Sequence, residues 1–249
     1  MVIKRLFDIC AALFGLVVLS PLLLLVALWV KLDSKGPVFY RGVRLGKNGR
    51  PFRIFKFRSM VSNADKIGAA TTADNDVRIT RSGKFIRKCK LDEISQLINV
   101  LIGDMSMVGP RPEDYKWAQT RMDKIADTLT VRPGITDWAS IWNSDEGAVL
   151  QDSPDPNGMY EHVLWPKKLE LQRYYIATHN FWTDIRIIFI TLFRIVRKDL
   201  VPKELRNYPD FQELRNEVVQ ILREEYGIGG EDQPCACEHR SSEYSRKAA

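Results

Sequence analysis

From Ile9 to Val30 the chain carries no charged side chain, and Ser20-Pro21 stands in the middle of that run. An uncharged apolar stretch longer than ~18 residues is read first as a membrane helix, since hydrocarbon demands that backbone polar groups bond within the segment. Proline breaks that rule locally. Pro21 has no N–H for the carbonyl four residues back, at Val17, and its ring crowds that carbonyl, so a kink or break is expected. The two arms would reach roughly 18 and 13 Å at ~1.5 Å per residue, each well short of a ~30 Å hydrocarbon core. Lys4 and Arg5 precede the run and Lys31 and Lys35 follow it, which favours both ends on the cytoplasmic side. The expectation is a re-entrant helix-break-helix, with Ser20 or another group answering the freed carbonyls. A proline-kinked crossing helix is the alternative. Asp8 in the leading segment and the lack of a small-x-small site argue against a cleaved signal peptide.

Charge is divided unevenly along the 249 residues. Up to Lys90 there are eighteen Lys and Arg against five Asp and Glu; beyond it there are nineteen against twenty-six. The basic part should therefore face something anionic: nucleic acid, a membrane surface or a phosphorylated substrate. Directly after an apolar anchor, the membrane and its phosphates are favoured over nucleic acid. A hydrophobic content of 45% is enough for a substantial core. Cys10, Cys89, Cys235 and Cys237 form no disulfide framework and suit a reducing compartment. Cys235-Ala-Cys237-Glu-His239 could chelate a metal, but it follows Gly229-Gly230 in a polar tail expected to be disordered.

Between Gly36 and Met60, two aromatic and β-branched runs surround Asn48-Gly49, a strong hairpin signal, with a slip in alternation at Ile54-Phe55. The second run interleaves Arg53, Lys56 and Arg58 with phenylalanines, as a solvated basic face or a nucleic-acid surface would. Residues 61–90 read as polar and loop-rich, and the segment Asp145–Gly158 as a loop. A helix is expected from Leu91, with Leu91, Ile94, Leu97, Ile98 and Leu101 on one stripe and Gly103 as its stop. Phe181–Arg197 is a second amphipathic helix suited equally to a core or a membrane interface, preceded by another in "WPKKLELQRYY".

Asp92-Glu93 opens the helix at Leu91, where an acid ordinarily caps amides and answers the helix dipole. Two rigid arginines stand farther on, in Pro110-Arg111-Pro112 and in Arg132-Pro133-Gly134-Ile135-Thr136. Each has its backbone restricted by the following proline, and each could serve phosphate or pair with a nearby acid such as Glu113 or Asp137. Carboxylates, phosphate-seeking cations and a membrane anchor together suit phosphoryl chemistry at a membrane surface. A carboxylate can attack phosphorus, and Mg²⁺ prefers carboxylate and phosphate oxygens. On an α-helix Asp92 and Glu93 would point ~100° apart and play different roles.

In this order, "KRLFD", Ser20-Pro21, "GPVFYRGVRLGKNGRPFRIFKFRSM", "GKFIRKCKLDEISQLINVLIGDMSMVGPRP", "VRPGIT" and "KLELQRYY" resemble the monotopic phosphoglycosyl transferases, the bacterial sugar transferase family, over about Ile3–Lys198. The resemblance implies transfer of a phospho-sugar from a nucleotide diphosphate sugar, usually a UDP-sugar, to polyprenyl phosphate such as undecaprenyl phosphate, releasing UMP. It implies that Asp92 is the nucleophile of a covalent phosphosugar intermediate, that Glu93 and Asp92 hold Mg²⁺, and that Arg58, Arg87, Arg111, Arg132 and Lys56 bind substrate phosphates. The membrane helix break would be Ser20 and Pro21. The place implied is the cytoplasmic face of the bacterial inner membrane, at the first membrane step of glycoconjugate assembly.

Two stretches depart from the family pattern. "RPGITDWASIWNSDEG" stands where "RPGITGWAQVNGRN" is common, and Lys88-Cys89-Lys90 replaces small residues, which leaves the sugar open. The expected architecture is α+β and mainly helical: a membrane anchor over 1–35, a cytoplasmic transferase domain over 36–200 with a small β-hairpin and interfacial helices, and an extension over 201–249. Exposed apolar faces leave a homodimer open. The competing functions are a non-catalytic lipid-binding scaffold and a Mg²⁺-dependent lipid-diphosphate hydrolase.

Overall fold

A computed structural model describes residues 2–64, 76–144, 146–150, 156–197 and 201–210, together with residues 213, 214, 216, 217, 220, 221 and 224. Ten α-helices are present among them: α1 Val2–Asp33, α2 Arg81–Lys88, α3 Leu97–Ile102, α4 Tyr115–Gln119, α5 Met122–Ile125, α6 Trp138–Trp142, α7 Glu146–Val149, α8 Pro156–Met159, α9 Trp165–Thr178 and α10 Phe181–Val196. The mainly helical α+β expectation holds.

The N-terminal segment is one helix, α1, with Pro21 inside it. The expected break is replaced by a local repair: Ser20 Oγ donates to the Val17 carbonyl at 2.8 Å, the group that Pro21 leaves without an N–H. Buried residues lie toward the two ends of α1, at Asp8, Ala12, Val26 and Val30, while Val17, Val18, Leu24 and Leu25 in the middle are exposed. The first half packs through Ala12 and Leu16 on Leu97, Val100 and Met105; the second packs through Val26 and Val30 on Phe57 and Ile86.

Polar bonds fix both ends of α1. Arg5 donates to the carbonyls of Val100 (2.6 Å) and Leu101 (3.1 Å), meeting α3 at its negative end. Buried Asp8 accepts from Ser106 Oγ at 3.1 Å and from the Met107 amide at 3.0 Å. Lys4 pairs with Asp184 on α10. At the far end Asp33 Oδ2 accepts from the amide (2.9 Å) and hydroxyl (2.8 Å) of Ser82. The apolar run is thus docked by its charged flanks.

The hairpin forms as expected. β2 (Val43–Leu45) pairs antiparallel with β3 (Pro51–Arg53), and Asn48 and Gly49 both take left-handed backbone in the turn. Outside it, β1 (Phe39–Tyr40) pairs with β4 (Lys56–Phe57), placing Tyr40 opposite Lys56. The slip at Ile54-Phe55 is where the chain passes between the two ladders. Asn99 holds it there, accepting from the Phe55 amide at 2.7 Å and donating to the Arg53 carbonyl at 2.9 Å.

Three short helices escape the sequence reading. The polar stretch before Lys90 contains α2, capped by Thr80 Oγ1 on the Gly83 amide at 3.0 Å. Glu146–Val149 and Pro156–Met159 are single helical turns within the stretch read as a loop. α9 and α10 appear where expected. α10 has two faces: Ile187 is fully buried with Trp138, Leu171 and Tyr175, whereas Trp182, Phe189, Leu192 and Phe193 are exposed. The Cys235–His239 segment lies outside the described residues.

A parallel pair unannounced by the sequence, β5 (Ser106–Val108) with β6 (Gly134–Thr136), brings the two Arg-Pro units together. Their backbones approach so closely that a Cβ on Gly134 would lie 2.0 Å from the Gly109 nitrogen, with backbone on both sides. Gly134→Ala is expected to cost roughly 3 kcal/mol through forced displacement of this pair, read as a lowered denaturation midpoint.

Candidate active site

Asp92 and Glu93 do not start an α-helix. They lie in a 3₁₀ segment, Leu91–Gln96, that leads into α3, and Lys90 before them has left-handed backbone (φ 55°). Successive side chains on a 3₁₀ turn diverge by about 120°. Even so, both carboxylates reach one cation, because β4 packs on this segment and brings Lys56 between them: its Nζ is 2.9 Å from Asp92 Oδ2 and 3.0 Å from Glu93 Oε1. Ser95 Oγ ties the same strand crossing by donating to the Phe55 carbonyl at 3.0 Å.

Arg111 closes the other side of Glu93 as a fork, with Nη1 3.0 Å from Oε2 and Nη2 on Oε1. Burial penalises the Glu93 charge, but the Arg111 guanidinium and the Lys56 ammonium outweigh it and hold the carboxyl well below the usual carboxylate range. Asp92 is 3% exposed, whereas the Arg111 side chain is 40% exposed, so the approach to the dyad from solvent runs past arginine.

A second charged group borders Arg111 that the sequence reading did not find. Buried Lys168 on α9 donates to Glu146 at 2.8 Å and to the Tyr160 hydroxyl at 3.1 Å. Burial raises the carboxyl of Glu113 despite Lys168 and Arg44 nearby, and it raises that of Asp137, whose Oδ1 caps Ser140. Glu146 is shifted the other way, because the Lys168 charge overcomes the cost of burial. Lys168 had been absorbed into a helix pattern; only its acid partners, far away in sequence, mark it as more than a surface lysine. The two departures from the family pattern also meet here, as Lys90 Nζ donates to the Ser144 carbonyl at 2.7 Å.

The remaining expected phosphate ligands are spread over the body. Arg58 is 5% exposed and spends Nη2 on the C-terminal end of α1, at the carbonyls of Val30 (3.1 Å) and Ser34 (2.6 Å) and on Ser34 Oγ (2.9 Å). The negative end of a helix balances its charge there. Arg132 donates Nε to the Gly103 carbonyl at 3.0 Å, at the end of α3 opposite to the dyad. Arg87, in the last turn of α2, is half-buried; its side chain makes no hydrogen bond or ion pair among the described residues, though its charge acts on Asp76. Ser20 and Pro21 sit in the exposed middle of α1.

For Mg²⁺ the donor chemistry fits: Asp92 and Glu93 present oxygens to a single point that a cation, the Lys56 ammonium, already fills. No cluster of three or more metal-ligating side chains occurs among the described residues, so any magnesium would draw its other ligands from water or substrate phosphate.

A carboxylate dyad is clamped by cations from the outer ladder of the hairpin region and from a Pro-Arg-Pro turn, on a body carrying a long, docked apolar helix. Residues 1–198 match the bacterial sugar transferase family, and the chain belongs to it. It is 52% identical over 203 residues to the exopolysaccharide production protein PSS of Rhizobium leguminosarum, covering 77% of this chain and 94% of that protein. It is 40% identical over 197 residues to the UDP-N-acetylgalactosamine-undecaprenyl-phosphate N-acetylgalactosaminephosphotransferase of Aeromonas hydrophila, covering 78% of this chain and 44% of that one. Identity to a UDP-glucose:undecaprenyl-phosphate glucose-1-phosphate transferase of Klebsiella pneumoniae is 39%, over 78% of this chain and 40% of that protein. The chain therefore spans less than half the length of the two relatives named for a sugar donor.

Two outcomes follow from this geometry. Because the folded carboxyl of Glu93 lies below its unfolded value of about 4.3, its ion pairing stabilises the fold above that pH and is lost as pH falls through the depressed value. Arg111→Gln should lower the thermal midpoint near neutrality, with the gap to wild type closing below about pH 4. Arg58→Gln should destabilise the docking of α1 by about 1–3 kcal/mol, measured by denaturation, rather than act first on substrate affinity.

Proposed function

We propose that this chain is a polyprenyl-phosphate phosphoglycosyl transferase, moving a phospho-sugar from a UDP-sugar to undecaprenyl phosphate with release of UMP. The observation that carries this reading is the buried dyad gripped by Lys56 and Arg111. One carboxylate is tied into an ion-pair network while its neighbour retains an oxygen for chemistry. The substrates named for the relatives from A. hydrophila and K. pneumoniae supply the donor and acceptor classes.

In this mechanism a carboxylate oxygen of Asp92 forms a bond to the β-phosphorus of the donor as the bond from that phosphorus to the bridging oxygen breaks, and UMP leaves with that oxygen. An oxygen of polyprenyl phosphate then attacks the same phosphorus and frees the Asp92 carboxylate, leaving a lipid-diphosphate sugar. Arg111, the most exposed member of the clamp, grips the diphosphate, and Arg87, whose side chain has no ion pair among the described residues, receives a further phosphate. Lys56, 2.9 Å from Asp92 Oδ2, holds that carboxylate in place for attack. Asp92 and Glu93 would hold a magnesium ion, which when bound would neutralise diphosphate charge.

The site works on the cytoplasmic side of the inner membrane. A helix crossing the bilayer puts its ends on opposite sides of ~30 Å of hydrocarbon. Here Arg5, Asp8 and Asp33 bond to the same body as the dyad. This supports a re-entrant placement in which the exposed middle of α1 enters one leaflet and both ends return.

The deciding experiment measures UMP release from a panel of UDP-sugars by purified protein with Mg²⁺, with and without undecaprenyl phosphate. Acceptor-dependent release with one donor, and lipid-diphosphate sugar as product, is the expected result. Free sugar phosphate as the product would make the chain a hydrolase, and absence of turnover with every donor would overturn the UDP-sugar reading. Asp92→Asn, shown to be folded, should lose at least about 10³-fold in turnover, and unchanged activity would remove it as nucleophile.

A further inference from the structure

Away from the dyad, the first two turns of α1, β5, the tip of the hairpin, the Val131-Arg132 segment and the C-terminal end of α9 enclose a cleft lined by Lys4, Arg5, Asp8, Lys47, Arg132 and His179. We propose that this cleft holds the headgroup phosphate of an anionic phospholipid. The inference does not depend on the transfer reaction.

The charges do not cancel within the protein. Lys4 is paired with Asp184, and Asp8 is taken up by Ser106 and the Met107 amide. Arg5 and Arg132 converge on one helix end: Arg5 donates to the Val100 and Leu101 carbonyls and has Nη2 3.2 Å from where a Gly103 Cβ would be, while Arg132 Nε bonds the Gly103 carbonyl. A helix C-terminus offers about half a negative charge against these two guanidinium charges. Arg132 keeps both terminal nitrogens free, and Lys47 has no side-chain partner among the described residues. Four cations against two carboxylates leave an excess of positive charge around a concave site.

The setting selects a lipid. Lys4 and Arg5 are flanked by exposed Val2, Ile3 and Leu6, and three residues beyond His179 stands Trp182, 77% exposed. Phe7 and Phe181 meet edge to face at 5.5 Å and join these two apolar surfaces. Cations recessed at the border of a membrane-facing apolar surface match a phosphate whose acyl chains run along α1 and α10. The polyprenyl acceptor is a poor match here. Its phosphate must reach Asp92, while Gly103 lies on the order of 15 Å away along the intervening helical segment.

The test places the full chain in nanodiscs of phosphatidylcholine with or without phosphatidylglycerol and counts retained phosphatidylglycerol by native mass spectrometry after detergent extraction. Wild type should retain phosphatidylglycerol, and Lys47→Ala should weaken retention about fivefold, the effect of one juxtamembrane cation. Lys116→Ala, at an exposed site on α4, should leave it unchanged. Equal loss in both variants would overturn the cleft in favour of diffuse attraction. Displacement by inorganic phosphate at matched concentration would make it a free-anion site, and preferential displacement by undecaprenyl phosphate would make it an acceptor site; either result overturns the proposal. Lys47 makes no side-chain bond, so an unchanged thermal midpoint in Lys47→Ala verifies that folding is not the cause.

Discussion

Two adjacent carboxylates in a water-poor site cannot both stay ionised unless cations are held against them. That requirement organises the body around the dyad. Lys56 reaches Asp92 and Glu93 because β4 lies on the 3₁₀ segment, and β4 lies there because Phe57 packs with Val26, Val30 and Ile86 under the second half of α1. Arg111 reaches Glu93 from the turn after β5, whose course is set by the close contact of Gly109 with Gly134. The membrane helix, the hairpin and the parallel pair each support one part of a single ion-pair network.

Much of this was legible along the chain. Asn48-Gly49 announces its hairpin because both residues tolerate left-handed backbone, and the apolar stripe at Leu97 announces its buried face. What stayed hidden was tertiary. β5 and β6 are three residues each and acquire meaning only as a parallel pair. Gly83 conceals a helix because its role, a close approach to the Ser59 carbonyl, is invisible in sequence.

The site divides similarly. Asp92, Glu93, Lys56 and Arg111 were named from the chain and come together in space. Arg58 and Arg132 carry the same residue type, yet each commits one nitrogen, Nη2 of Arg58 and Nε of Arg132, to carbonyls at a helix end. An arginine beside a motif looks the same in sequence whether it meets phosphate or caps a helix. Lys168 shows the converse, since a buried lysine among acids is indistinguishable from its exposed neighbour Lys167 until Glu146 and Tyr160 are placed around it.

Asn99 ties two parts of the site together. One side chain accepts from Phe55, donates to Arg53 and reaches Asp104 at 3.2 Å, so the strand crossing that delivers Lys56 and the helix that follows the dyad are joined by a single amide. Any motion at the site must therefore carry the Asp92 segment and the Lys56 ammonium as one rigid wall. Adaptation is left to the opposite wall, where Arg111 and the Lys90–Ser144 contact belong to separately anchored segments. Remodelling that second wall changes both the approach to the dyad and the charge held against Glu93, while Lys56 stays fixed between the two carboxylates.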